Sequence, residues 1–392
     1  MIKVQNNKIT AASKWALGLI LFALFTVLFY RQSIAYEGRY FSDLPAHISF
    51  ASNGQGYSLL YFCLGVILRL LPGTIGVAVF ESLLVIGSWI MAEKLMVKYF
   101  QIQSLTASLL SAGLLFLSSI YIPRIAPYFY AKGIVTRPWH NITFFGMCFF
   151  AVITMYYFLE ILQHYQEKMT WLDWVKIAVP LMLATSVKPN FLIGFSFTLL
   201  LFLIVDFFRG KLTSQKFWRI ILMGTTVFPA CIVLLFQSVI LYGPSDGGES
   251  SGIMITLFGS EFFQDGIKQV VLKLARGLTF PALVFLFNRK KLDRSSLFMW
   301  AMYLITLLQV ILLHETGERA NHGNFYWGLY SSGYFLFIWY ASRFVENCKE
   351  YLAAEHKKHT WYYICGALLL AAHLLSGLAY FAILFMGGQC LI

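Results

Sequence analysis

Tyr57-Ser58-Leu59-Leu60-Tyr61-Phe62-Cys63-Leu64-Gly65-Val66-Ile67-Leu68-Arg69-Leu70-Leu71 is the stretch on which the topology turns. It is apolar enough to enter a membrane, yet it is short, carries Arg69 and stops at Pro72-Gly73. A helix needs about 20 residues to cross the hydrocarbon layer. Read as a span, it would put Lys94 and Lys98 on the outer side, against the excess of cytoplasmic Lys and Arg that membrane proteins show. Read as an amphipathic helix lying on the outer surface, it leaves every second connection positive. The second reading is adopted here; a true span with reversed topology downstream is the alternative.

Working outward, the chain of 392 residues is 59% hydrophobic and 12% charged. Soluble domains carry about 25% charged residues, so the composition is that of a polytopic, all-α membrane protein. Eleven spans are expected: Lys14–Tyr30, Thr74–Met91, Ser104–Tyr121, His140–Leu162, Trp174–Val187, Asn190–Phe208, Arg219–Tyr242, Lys268–Phe287, Ser295–Leu313, Trp327–Phe344 and Trp361–Met386. The opening MIKVQNNKITAASK and the apolar run to Tyr30 resemble a signal peptide, but no small-residue cleavage site follows, so an uncleaved first span is expected. Residues 1–392 then form a single transmembrane domain, with an outer loop holding surface helices at 31–73 and a mobile outer loop at 243–268. The core of that second loop, GPSDGGESSGIMITLFGSEFFQ (Gly243–Gln264), reads as a lid or equally as a plain flexible connector.

The net charge of +12 does not point to nucleic acid, because the positive residues are spread over many short loops rather than one basic face. The six cysteines are scattered without a metal-binding spacing and read as small core residues. Nineteen of the 30 basic residues fall on the cytoplasmic side: Lys3, Lys8, Lys14, Lys94, Lys98, Lys168, Lys176, Arg209, Lys211, Lys216, Arg219, Arg289, Lys290, Lys291, Arg294, Arg343, Lys349, Lys357 and Lys358. The N-terminus is then cytoplasmic and the C-terminus extracytoplasmic. Eleven basic residues break the rule, among them Arg124, Arg137, Lys188 and Arg319, each at the outer mouth of a span. A cation near hydrocarbon is costly, which makes such positions ligand-site candidates.

Four outer stretches carry the polar chemistry. Ser42-Asp43-Leu44-Pro45-Ala46-His47 places an acid and a His one helical turn apart. Asp43 reads as an N-cap, shared with Ser42, or as a carboxylate able to take a proton from a hydroxyl. Arg137-Pro138-Trp139-His140-Asn141 opens a span, where the helix dipole attracts anions; an interfacial anchor is the plainer reading. Asn141-Ile142-Thr143 matches a glycosylation sequon but abuts the bilayer, so occupancy is not expected. Lys188-Pro189-Asn190-Phe191 interrupts an apolar run, with Lys188 pointing into a cavity or snorkelling outward. His314-Glu315-Thr316-Gly317-Glu318-Arg319-Ala320-Asn321-His322-Gly323-Asn324-Phe325-Tyr326-Trp327 packs acids, an Arg and His residues between two spans. Arg319 suits phosphate as a bidentate fork. A divalent metal on His314, Glu315, Glu318 and His322 is a lesser alternative, opposed by Arg319 among them. Glu81, inside the second span, is expected to hydrogen-bond a neighbouring helix, or else to position an outer-loop residue from below.

This organisation resembles the C-type (GT-C) glycosyltransferases: a first span, an outer loop with Ser42-Asp43, surface helices ending Leu68-Arg69-Leu70-Leu71-Pro72-Gly73, then many spans. The Arg137–Asn141, Lys188–Phe191 and Glu318–Phe325 segments resemble those of bacterial members. The resemblance implies an integral-membrane enzyme moving a sugar from a polyprenyl-phosphate donor to an extracytoplasmic glycan, lipid or polymer acceptor with inversion, in the plasma membrane and without a required cofactor. Asp43 is then the catalytic base. Arg137, His140, Lys188, Arg319 and His322 hold the donor phosphate, and His47, Arg124, Asn141, Asn190, Glu315, Glu318 and Asn324 contact substrate. The acid pair of many family members is absent, since Ser42 precedes Asp43, and no C-terminal soluble domain is present. A polymerase of lipid-linked polysaccharide is the near alternative. A transporter or flippase of lipid-linked sugars is another, although no internal repeat supports it. A membrane O-acyltransferase would need a buried catalytic His, for which His373 is the one weak candidate.

Overall fold

The structure is a computed structural model that describes residues 2–34, 39–54, 58–71, 73–124, 133–211, 213–242, 252–256, 262–263, 266–317, 323–356 and 358–388. Its helices are α1 (Ile2–Ile34), α2 (Leu44–Ser52), α3 (Leu59–Leu70), α4 (Ile75–Phe100), α5 (Ser104–Leu115), α6 (Ile142–His164), α7 (Trp171–Val187), α8 (Asn190–Phe208), α9 (Ser214–Thr225), α10 (Phe228–Tyr242), α11 (Gly266–Phe287), α12 (Arg294–Leu312), α13 (Tyr326–Ala353) and α14 (Thr360–Phe385). A two-stranded antiparallel ribbon, β1 (Gly252–Ile255) with β2 (Leu313–Thr316), is the one sheet among the described residues.

Eight helical segments are long and apolar enough to cross a membrane: Ile9–Ile34, Ile75–Phe100, Ile142–His164, Asn190–Phe208, Ser214–Ile240, Gly266–Phe287, Arg294–Leu312 and Thr360–Phe385. They make the chain a multi-pass membrane protein. Three of the eleven expected spans fall outside this set, each for its own reason. In α13 every residue from Tyr326 to Ser342 is buried. A helix packed on all sides has no lipid-facing stripe, so its Tyr and Ser content does not have to be apolar. Helix α7 has 17 residues, with Pro180 inside it, just under the length of a full crossing.

The third is α5, which stops after 12 residues, so Ser104–Tyr121 is not one helix. Beyond it the chain runs extended and buried, with Ser118 bridged to Thr136. Ser119 N donates to Val135 O at 2.5 Å and Arg137 N to Leu117 O at 3.0 Å. Non-helical backbone survives in an apolar setting only when its polar groups find partners inside the protein. Those partners come from two helices. Arg276 Nε of α11 donates to Ile120 O at 2.7 Å, and His373 Nδ1 of α14 donates to Ser118 O at 2.6 Å. Ser376 Oγ accepts from Tyr121 N at 2.9 Å. Gly377 is required here, because a Cβ at that position would stand 1.7 Å from Phe116 O. His373 is thus a bonded core residue.

The bundle has two ends of different character. At one, Lys14 of α1 pairs with Glu93 of α4 and bonds Ser104 of α5 at 3.0 Å. At the same end Asp206 takes Arg294 and the Tyr165 hydroxyl (2.5 Å), and Arg343 bonds Asp293 at 3.0 Å. Of the rule-keeping basic residues, Lys14, Lys98, Arg219, Arg294 and Arg343 make their ion pairs or hydrogen bonds toward this end. At the other end Ser33 Oγ lies 2.6 Å from Thr74 Oγ1, and Ser58 Oγ donates to Val187 O at 3.0 Å. There Arg31 Nη1 donates to Phe385 O at 2.7 Å, a cation on the C-terminal carbonyls of α14 where the helix dipole favours it.

The stretch that decided the topology forms α3, 12 residues long, with Ser58 as N-cap accepting from Leu60 N. At 1.5 Å per residue it reaches about 18 Å, short of a crossing. Leu60, Tyr61, Leu64 and Gly65 face inward while Phe62 and Leu70 are exposed, the two-sided pattern of a surface helix. Glu81 is fully buried, and neither carboxyl oxygen has a hydrogen-bond partner among the described residues, contrary to the expected bond to a neighbouring helix.

Candidate functional site

Four segments distant in sequence meet at the second end of the bundle. Asp43 is the N-cap residue of α2, but its side chain makes no cap bond; Leu44 N bonds Ser42 Oγ instead, at 3.1 Å. The Asp43 carboxylate is thereby left for another partner. Asp43 N and Ser42 Oγ both donate to His140 O, at 2.9 and 3.0 Å, which staples the start of α2 to the start of α6. Asn141 Nδ2 donates to Asp43 Oδ2 at 2.7 Å.

Asn141 is the N-cap of α6 and the junction of the group. Its Oδ1 accepts from Phe144 N at 3.0 Å, Thr143 Oγ1 at 2.8 Å and Lys188 Nζ at 3.3 Å. Lys188 ends α7 in an extended conformation, forced by the Pro189 that follows. Its ammonium also donates to Thr143 Oγ1 at 3.0 Å and lies 4.5 Å from the Trp327 ring centroid. The snorkelling alternative for Lys188 is therefore not what the fold adopts. Acid and cation stand on opposite ends of one carboxamide.

The 313–327 stretch joins from the other side. Glu315 Oε2, buried, accepts from Asn324 Nδ2 at 2.6 Å. Asn324 O accepts from Asn190 Nδ2 at 2.7 Å, and Asn324 Oδ1 from Trp327 Nε1 at 3.2 Å. A continuous chain of contacts thus runs from Asp43 through Asn141, Lys188, Trp327 and Asn324 to Glu315. The neighbouring histidines are ordered by tyrosines: His47 Nδ1 is 2.8 Å from Tyr61 Oη, and His140 Nδ1 is 3.1 Å from Tyr380 Oη. Burial draws the His47 pKa down to about 4; nearby Asp43 opposes this and Lys188 adds to it. His47 is neutral at pH 7.

Other expected site residues stand elsewhere. Arg137 does not open onto this surface. It is 1% exposed, with its guanidinium 4.1 Å from the Tyr334 ring, 4.9 Å from Phe145 and 5.2 Å from Phe144. The extended 133–137 segment turns it inward, and the expected phosphate contact is replaced by aromatic faces and Cys148 Sγ at 3.5 Å. Arg124 is exposed and makes no hydrogen bond or ion pair among the described residues. Glu318, Arg319 and His322 lie outside the described residues, as does most of 243–268. His314 sits in β2 opposite Met254.

Four residues of the site are not among those the sequence nominated: Thr143, Trp327, Tyr61 and Tyr380. Thr143 and Trp327 belong to polar stretches singled out above and could be found from them. Tyr61 and Tyr380 sit in apolar runs, where nothing local distinguishes them. The chain matches no family model, no curated protein and no solved structure in comparisons with each.

Proposed function

We propose that this protein is a membrane glycosyltransferase of the C-type, taking a sugar from a polyprenyl-phosphate donor to an acceptor hydroxyl with inversion. The reading is supported above all by one observation: Asp43 and Lys188 are held at the two ends of the Asn141 carboxamide, 2.7 and 3.3 Å from it. A displacement of this kind needs a base for the incoming hydroxyl and a cation for the departing phosphate, close together but not neutralising each other. Asn141 supplies that separation.

In the proposed reaction Asp43 takes the proton of the acceptor hydroxyl as its oxygen attacks the anomeric carbon. The bond from that carbon to the lipid-phosphate oxygen breaks, and the lipid phosphate leaves with the electron pair. Lys188 stabilises the charge that develops there. Asn190, Asn324 and Glu315 suit the sugar hydroxyls, and Arg319 and His322 are assigned to the donor phosphate from their place in the sequence. No step calls for a metal or organic cofactor. The end of the bundle bearing Asp43 is assigned to the extracytoplasmic side, because the rule-keeping Lys and Arg gather at the other.

The test is release of polyprenyl phosphate from a panel of polyprenyl-phosphate sugars by the purified protein, a readout independent of which sugar is carried. Asp43→Asn is expected to lower the rate by about 10²–10⁴-fold, the range of a lost general base, with normal accumulation in the membrane. Full activity in Asp43→Asn removes Asp43 from the mechanism.

A further inference from the structure

The β1–β2 ribbon grows directly from the end of α12, with Thr256 N bonded to Leu312 O at 2.9 Å. Its register sets Ile253 opposite Glu315, Met254 opposite His314 and Ile255 opposite Leu313. Successive strand residues point to opposite faces, so an isolated ribbon normally keeps one face polar. Here three consecutive β1 side chains are apolar and open: Ile253 is 54%, Met254 47% and Ile255 77% exposed. Two strands alone are marginal in water, and a free apolar strand edge is a liability there. Opposite them Glu315 is 4% exposed and tied through Asn324 to Asn190 and Trp327, beneath Lys188. Along α12, the outward residues Leu304 and Leu308, each 52% exposed, form an apolar track that continues into the ribbon at Leu313.

We infer that the β1–β2 ribbon is immersed in the interfacial layer of the bilayer, with Ile253, Met254 and Ile255 among lipid chains. Helix α12 is long and apolar enough to cross a membrane, and its exposed Leu304 and Leu308 lead toward the ribbon, which is why lipid rather than a protein partner is the occupant. One strand of the ribbon then touches lipid while its partner carries Glu315 into the polar group. Resting on the proposed transferase reading, the ribbon receives the polyprenyl chain of the donor beside it, with the phosphate directed toward Lys188.

The placement is tested in native membranes with Ile255→p-benzoylphenylalanine, irradiated and analysed by mass, with Leu308→p-benzoylphenylalanine on α12 as reference and Glu355→p-benzoylphenylalanine as an exposed control. Phospholipid adducts at 255 and 308 but not at 355 are expected. Adducts at 308 with none at 255, or a protein adduct at 255, overturn the inference; absence of lipid at both positions overturns it together with the membrane reading. The functional half is tested with Ile255→Asp. Polyprenyl-phosphate release from a long-chain donor in vesicles is expected to fall about tenfold, while release from a short-chain, water-soluble donor stays unchanged. Equal loss with both donors overturns the lipid role. Lipid adducts at 255 combined with no donor turnover in the unaltered protein would refute the transferase reading and leave the ribbon's placement standing.

Discussion

Asn141 donates from Nδ2 to Asp43 Oδ2 across 2.7 Å, and this bond sets the direction in which the acid faces. The three donors on Asn141 Oδ1 allow the carboxamide one orientation only, with its NH2 toward Asp43. Asp43 is thus kept off the N-cap role that its position before Leu44 and Pro45 would otherwise invite. A carboxylate that caps nothing and pairs with no cation among the described residues is available to accept a proton.

Lys188 reaches this acid's partner, with its ammonium 3.3 Å from Asn141 Oδ1. Lys188→Met keeps the stem against Trp327 and removes the charge, and is expected to cost about 10²-fold in kcat/KM for a polyprenyl-phosphate donor. Lys188→Arg is expected to restore this only in part, because a planar fork does not replace a compact ammonium between Asn141 and Thr143. Initial rates against donor concentration measure both. Unchanged donor dependence in Lys188→Met contradicts the assignment.

His47 makes a prediction in pH. Its ordinary value of 6.5 is lowered to about 4 by burial beside Lys188, so between these values the unfolded chain holds a proton that the folded one does not. The contribution of His47 to folding stability is therefore fully present above about pH 6.5 and is lost as pH drops toward 4. His47→Gln should flatten that decline. Thermal denaturation between pH 4.5 and 7.5 reads it out, and identical slopes in the two proteins would exclude His47 as its source.

Gly377 tests the unusual path after α5. Gly377→Ala places a methyl 1.7 Å from Phe116 O, which neither backbone can yield without separating α14 from the buried extended segment. A loss of about 3 kcal/mol or more is expected. Gly113→Ala, whose Cβ would meet only Leu374 Cδ1 at 3.2 Å, should be nearly silent. Comparable melting temperatures for the two variants would argue against the packing of α14 on the segment that follows α5.

Orientation is tested by thiol labelling. Asn53, exposed after α2, and Glu355, exposed after α13, stand at opposite ends of the bundle. An impermeant reagent on intact cells should modify Asn53→Cys, whereas Glu355→Cys should react only after permeabilisation. The reverse pattern would invert the proposed topology.

Composition and charge alternation determined by themselves that this chain is a helical, multi-pass membrane protein, whereas Tyr57–Leu71 stayed open in the sequence between a surface helix and a span, and the fold gives it a helix of 12 residues. These are properties of local runs: length against hydrocarbon thickness, and the cost of a cation there. The same reasoning placed Asp43, Asn141, Lys188, Asn190, Glu315 and Asn324 in polar stretches at one end, and the fold gathers those six. It could not tell the cations apart. Arg31 ends on a carbonyl 354 positions away, Arg276 braces an extended segment, Arg137 is sealed among rings, and Lys188 reaches the acid's partner. Every buried cation must find compensation, so each breaks the charge rule in the same way. Which one meets a ligand group and which a backbone oxygen or an aromatic face depends on helix packing between remote segments, and only the tertiary structure decides it.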